Sequence, residues 1–177
     1  MTDQVDANSE AAATDTPQQQ QFSIQRIYVK DISFEAPNLP DMFGVEYKPE
    51  VKMEMNSKSR KVGDDHFEVV LSVTLGAEIE GKTAFLAEVH QAGLFLIKGF
   101  NDQQTHQLLG AAGPESLYPY VREAISSLIG KTGFPAIQLT PVNFMGLYME
   151  NMQRAQAEAQ AKTGESAPEA VGTETVQ

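Results

Sequence analysis

One stretch of the sequence has the residue types and spacing of a phosphate-binding loop. Residues 76–83 match the Walker A pattern of nucleotide-binding proteins, in which four residues separate a glycine from Gly-Lys-Thr. In such a loop, backbone N–H groups and the start of a helix surround the phosphates. Here Glu78 and Glu80 would place two carboxylates beside the phosphates and repel them.

The residues that follow this motif decide how it is interpreted. Residues 85–91 alternate between apolar and polar side chains as in a strand, although Phe85, Val89 and Ala92 would also suit a helix. A phosphate-binding loop requires the helix, and no apolar strand ending in Asp is present to hold magnesium. We therefore predict a hairpin turn at residues 80–81 and no nucleotide cofactor.

Other side chains capable of catalysis or metal binding are scattered. His66, His90 and His106 do not follow the spacing of metal ligands, and Glu88 shares a strand face with His90 without a third ligand. The acidic pair at residues 64–65 follows a glycine and is typical of a turn. The sequence therefore predicts a binding protein without a metal or cofactor, and not an enzyme.

The negative charge is concentrated at the chain ends. The chain has 177 residues, no cysteine and a formal net charge of −11. We predict one domain over residues 22–153, between disordered acidic tails at residues 1–21 and 154–177, because the tails are poor in large apolar side chains. An acidic chain disfavours nucleic acid as a partner, since binding phosphates requires clustered Lys and Arg. A basic protein partner fits better.

The cellular location is inferred from the lack of targeting features. The first 21 residues have neither the positive charge nor the apolar run of a targeting signal. No stretch reaches the length of a transmembrane helix. We expect a cytoplasmic protein that does not insert into a membrane.

Alternation of apolar and polar residues predicts four strands. These segments are residues 22–35, 51–55, 67–75 and 85–97, with a polar turn region at residues 56–65. Apolar residues then recur at helical spacing over residues 117–128. A second helix is predicted from Thr140, with Pro141 at its first position and Leu139 packing on Phe144. Strands followed by helices indicate an α+β domain with an antiparallel sheet covered on one side.

Two segments carry more apolar side chains than their predicted structure requires. The loop after strand one contains Leu39, Met42, Phe43, Val45 and Tyr47 between prolines, and the last helix contains Met145, Tyr148, Met149 and Met152. Such residues are usually core, because Met fills irregular gaps. Flexible Met and flat rings also suit a surface that accepts many partner sequences. Both interpretations remain open from composition alone.

Several blocks of the sequence resemble the SecB family of protein-export chaperones. They occur in the family's order between residues 22 and 153: residues 22–38, 47–51, 67–71, 85–89, 134–135 and 139–144. The resemblance implies a four-stranded antiparallel sheet with a long crossover loop after strand one, covered by C-terminal helices. It also implies a homotetramer that is a dimer of dimers.

The resemblance further implies an ATP-independent holdase that keeps unfolded precursor proteins ready for translocation and delivers them to the export motor SecA. The crossover loop and last helix would form the client groove, with Phe34, Leu39, Met42, Phe43, Tyr47, Phe144, Met145 and Tyr148 as its residues. An alternative is a dedicated partner-binding module of the same fold, such as an antitoxin-associated chaperone.

Two further sets of residues match motifs of the family. The SecA contact corresponds to Asp31, Glu35, Leu86 and Glu88. Strand periodicity places Asp31 and Glu35 on one face of strand one, and Leu86 and Glu88 on one face of strand four, next to it in a crossover topology. The residues implied to affect tetramer assembly are Ala87, Val89 and Gln91, on the opposite face of strand four.

Overall fold

The computed structural model describes residues 19–164 and contains one open antiparallel sheet. Its strands are β1 (Gln21–Glu35), β2 (Glu50–Lys61), β3 (His66–Ile79) and β4 (Lys82–Lys98). The strand order is β1-β4-β3-β2, so the chain crosses over after β1 and the first and last strands are neighbours. The predicted α+β class, the four strands and the crossover are confirmed.

The Walker A motif forms the hairpin between β3 and β4. Residues 76–79 complete β3, and Lys82 begins β4. Glu80 and Gly81 both have positive φ angles, 52° and 73°, as a two-residue hairpin turn of the favoured twist requires. No helix begins at the Lys-Thr pair, so the predicted turn is confirmed and the phosphate-binding geometry is absent there.

One face of the sheet is covered by helix α2 (Gly113–Gly130), which packs on β3 and β4. Alternate residues of β3 and β4 point into this core, among them Val69, Leu71 and Phe95, which are fully buried. Leu117, Val121 and Ile125 of α2 are buried against them at helical spacing. The opposite face of the sheet has no helix on it among residues 19–164 and is called the open face below.

Strand β2 is longer than predicted. Residues 56–61 were expected to form a turn because they are polar, yet they continue to pair with β3 as far as Lys61. Lys58 and Arg60 extend over the open face, where polar side chains remain hydrated. The backbone pairing of a hairpin therefore prevails over the weak strand propensity of these residues.

A short helix before α2 was missed. Helix α1 (Asp102–Gln107) is followed by a π-helical segment, Leu108–Ala112, that leads directly into α2. Asn101 and Gln104 form a capping box, with the Gln104 N–H donating to Asn101 Oδ1 at 2.8 Å and the Asn101 N–H donating to Gln104 Oε1 at 3.2 Å. This Asn-x-x-Gln signal was available in the sequence.

The last helix, α3 (Phe144–Gly164), begins later than predicted. Its start is capped by Asn143, whose Oδ1 accepts a hydrogen bond from the Gly146 N–H at 2.9 Å. The prediction of Pro141 at the first helical position is therefore wrong, because Asn is the stronger N-cap. The helix also continues beyond residue 153, where Ala and Gln favour helix. The predicted N-terminal tail through residue 18, and residues 165–177, lie outside the described residues.

None of the described helices is both long and apolar enough to span a membrane.

Candidate functional site

The open face carries the residues expected to contact a protein partner. Glu35 of β1 pairs with Leu86 of β4, and Ser33 pairs with Glu88 two residues further along β4. Side chains of paired residues point to the same face of a sheet. The structure thus brings Asp31, Glu35, Leu86 and Glu88 together on the open face, and this set is called the partner patch. Leu86 is 39% exposed and lies opposite Glu35 at one end of the patch.

His90 lies next to the partner patch and is held by side chains on two strands. Its Nε2 is 2.8 Å from Glu88 Oε1, and its Nδ1 is 3.2 Å from Ser72 Oγ on β3. Its cross-strand partner on β1 is Asp31. Within residues 19–164, no three His, Cys, Asp or Glu side chains are placed to hold a metal ion. His90 is therefore held by hydrogen-bonding side chains beside the patch, and these residues form no metal site around it.

Glu68 is the most perturbed acid on the open face, and sequence reasoning missed it. Its carboxylate is 3% exposed and accepts hydrogen bonds from the Tyr28 hydroxyl, from Lys30 Nζ at 3.0 Å and from Arg60 Nε at 2.5 Å. Donation by Arg60, Tyr28 and Lys30 lowers the pKa of the Glu68 carboxyl to about 2, against the opposing effect of burial. The contact joins residues of β1, β2 and β3, with Tyr28 and Lys30 lying 40 and 38 residues from Glu68 in the sequence.

A shallow cavity of about 660 Å³ lies on the open face between the Glu68 contact and the partner patch. Lys30, Lys58 and Arg60 line it together with Glu88 and His90. Most of the residues that line it are charged or polar, which provides groups that can bind a charged peptide segment.

The crossover loop, residues 36–49, packs its aromatic side chains on Phe134. The rings of Phe43 and Tyr47 each lie 5.7 Å from the Phe134 ring, and the Phe85 ring lies 5.8 Å from it. Phe134 is buried, whereas Phe43 is 57% exposed. Phe134 is therefore the support of this surface, a role that its block in the sequence did not reveal.

The other groove residues predicted in β1 and the crossover loop are less accessible than Phe43. Phe34 is half-buried and stacks on Phe85 at 5.8 Å, and Leu39 packs against the same core. Met42 is 4% exposed and belongs to the hydrophobic core. The loop itself is tied to the β3–β4 hairpin, because Asn38 Nδ2 donates to the Thr83 carbonyl at 2.9 Å.

The predicted groove residues on α3 lie in a second cluster. Phe144 is 5% exposed and contacts the ring of Tyr118 edge-on at 5.4 Å. Tyr148 lies over Gly110 of the π-helical segment, and its hydroxyl is 2.9 Å from His106 Nδ1. Met145 is 40% exposed. The loop cluster around Phe134 and the helix cluster around Tyr118 share the same core, which includes Phe134, Leu139 and Phe144.

The three residues implied in assembly are inside the chain. Ala87 and Val89 are fully buried and Gln91 is 3% exposed, all on the helix-covered face of β4. These side chains pack within the chain itself, and their implied effect on assembly stays a prediction.

Comparison with known proteins assigns the chain to a family. A family model described as "Preprotein translocase subunit SecB" matches residues 15–155. The chain belongs to the SecB family. A protein-export protein SecB of Marinomonas sp. (strain MWYL1) is 51% identical over 138 residues, covering 78% of this chain and 87% of the relative. That of Hahella chejuensis is 48% identical over 152 residues, covering 86% and 96%.

A solved structure supports the SecB fold at lower identity. It is a SecB-like chaperone of Mycobacterium tuberculosis in complex with a peptide from an antitoxin, 20% identical, with a TM-score of 0.55, covering 68% of this chain and 90% of that chain. Membership of the SecB family confirms the resemblance seen in the sequence blocks. It also confirms the prediction of a protein-export chaperone that is not an enzyme.

Proposed function

We propose that this SecB family member is an ATP-independent holdase that binds unfolded precursor proteins, keeps them translocation-competent and delivers them to SecA from the cytoplasm. The observation that carries the proposal is the aromatic surface of the crossover loop. There, Phe43 presents 57% of its area to solvent on a support formed by Tyr47 and the buried Phe134.

An unfolded client suits this surface because its apolar side chains are exposed only before it folds. Burying apolar area contributes about 25 cal/mol per Å², so binding needs no nucleotide. On α3, Met145, Leu147 and Met149 are exposed by 40%, 39% and 52%, and flexible methionines adapt to different client side chains. Met42 and Phe144 are core residues and would support the groove from beneath.

The proposed SecA site is the partner patch. The carboxylates of Glu35 and Glu88 flank the exposed side chain of Leu86 on the open face, and that of Asp31 lies further along β1. This arrangement fits a basic segment that also carries an apolar side chain. Binding through exposed charges should weaken as salt is added, because the Debye length falls to about 8 Å at 0.15 M.

A homotetramer, built as a dimer of dimers, is part of the proposal. The supporting observation is that β1 is an edge strand whose outer side is unpaired within residues 19–164 and whose Ile24, Val29 and Ile32 are more than 40% exposed. Long apolar edge strands are templates for pairing with another chain.

The holdase proposal is tested by client protection. Phe43→Ser should weaken binding of an unfolded precursor by about tenfold, as the loss of an aromatic anchor commonly does. The matched control is Val62→Ser, which removes another side chain that is 42% exposed, at the β2–β3 turn. The measurement is suppression of refolding of two unrelated unfolded proteins at stoichiometric chaperone.

The outcomes separate the proposed functions. If Phe43→Ser and Val62→Ser protect the unfolded proteins equally well, a client surface at Phe43 is contradicted. Protection of one protein and not of the other would favour the dedicated partner-binding module. Glu88→Lys should abolish SecA binding and leave client binding intact, whereas Asp64→Lys in the β2–β3 turn should leave both unchanged. Loss of both activities in Glu88→Lys would contradict two separate surfaces.

A further inference from the structure

The open face is divided into two ends of opposite charge. At the end where β1 begins, four basic side chains surround the single carboxylate of Glu68: Arg26, Lys30, Lys58 and Arg60. At the other end six carboxylates accompany one base, Lys52: Asp31, Glu35, Glu50, Glu54, Glu78 and Glu88. These two sets are called the basic end and the acidic end, and the partner patch belongs to the acidic end.

The basic end keeps a surplus of positive charge. Glu68 contacts two of its bases, Lys30 and Arg60, and their side chains remain 45% and 65% exposed. Arg26 and Lys58 have no carboxylate within 4.0 Å among residues 19–164. The one buried carboxylate of this end thus pairs with two of its four bases and leaves the other two without an ion pair among these residues. The remaining positive charge faces solvent on a surface whose other end is acidic.

The two ends are connected by the cavity on the open face. Lys30, Lys58 and Arg60 line one part of its wall, and Glu54 and Glu88 line another. Lys58 and Glu54 are on the same strand four residues apart, a distance of about 13 Å for extended backbone. A single extended segment lying in the cavity would therefore reach both ends with a few residues.

We propose that the basic end is a second docking subsite for the same protein partner, and that it binds a short acidic segment joined to the basic segment that occupies the partner patch. This inference rests on the proposed function of the patch. Charge complementarity carries it, because a partner segment bearing bases alone would meet Lys58 and Arg60 and be repelled there. The subsite would thus select for the order of charges along the partner.

Three labelled peptides test the subsite by fluorescence anisotropy. The first joins four lysines to four glutamates through four prolines, which form a stiff spacer of about 12 Å and keep the two blocks from pairing with each other. The second replaces the glutamates by serines, and the third replaces the lysines by serines. We expect the first peptide to bind at least about fivefold tighter than the second, in line with one or two exposed charge pairs.

Substitutions in the chain test whether the higher affinity of the first peptide comes from the basic end. Arg26→Glu with Lys58→Glu should remove the advantage of the first peptide and leave binding of the second undiminished. Both positions are exposed, and neither side chain has an ion pair to lose among residues 19–164. The matched control is Lys131→Glu, an exposed lysine just after α2, which should change neither affinity.

Each remaining outcome overturns a different statement. If the first and second peptides bind equally, or the gain survives the double substitution, the second subsite is wrong and the partner patch stands. If neither lysine peptide binds, the partner patch itself is wrong. A gain that appears only after residues 1–18 are removed would assign the basic end to the acidic N-terminal segment of the chain. If single-stranded RNA binds more tightly than the first peptide, and the double substitution abolishes that binding, the basic end is a nucleic-acid site.

Discussion

At the scale of single residues, Glu68 is the acid between residues 19 and 164 whose pKa the fold lowers most clearly. Its carboxyl has a pKa of about 2 in the folded chain, against about 4.3 for an unperturbed Glu. The folded state therefore binds the proton more weakly than the unfolded state. The resulting stabilisation is present above the unfolded pKa and is lost as pH falls through the folded value.

Glu68→Gln should lower the free energy of unfolding by about 1–3 kcal/mol at pH 7, because the ionised partner of Arg60 and Lys30 is lost. The deficit should shrink between pH 4.5 and pH 2, where wild-type Glu68 itself becomes protonated. Urea unfolding followed by circular dichroism at several pH values measures it. Glu54→Gln, an exposed acid on β2, is the control, and a deficit of equal size in both variants would contradict the assignment.

At the scale of elements, the docking of α3 depends on one glycine. A Cβ at Gly110 would lie 2.5 Å from Tyr148 Cδ2 and 2.8 Å from Cε2, so the Tyr148 ring would have to move. Gly110→Ala should separate the ring from His106, cost about 1–3 kcal/mol of stability and speed hydrogen exchange at the start of α3. Gly130→Ala, where a Cβ meets nothing within 4 Å, is the control. Unchanged exchange in Gly110→Ala would contradict this role of Tyr148.

The elements also show what the sequence could predict. Period-two alternation located all four strands, because strands with one buried side, such as β3 and β4, alternate apolar and polar residues. The same alternation placed the residues of the partner patch on one face. The end of β2 was missed since residues 56–61 are polar on both faces of an exposed edge. The contact of Glu68 was missed because Tyr28 and Arg60 come from different strands, and only the sheet order brings them together.

At the scale of the whole molecule, the two edges of the sheet differ in what they expose. The β1 edge presents Ile24, Val29 and Ile32, whereas the β2 edge presents Val51 and Met53 beside many charges. Charged side chains are a common protection of sheet edges against pairing. We therefore infer that two copies of the chain meet through β1, and that β2 remains at the outside of each pair.

A matched pair of substitutions tests this inference. Val29→Lys and Val51→Lys each place one lysine where a valine is exposed, by 50% and 43%, on opposite edges. Val29→Lys should shift the native mass toward species smaller than the tetramer, because the new charges of two paired strands would repel each other, while the circular dichroism spectrum stays unchanged. Val51→Lys should remain assembled. The reverse result would place the interface at β2, and assembly of both variants would contradict edge pairing as the basis of the oligomer.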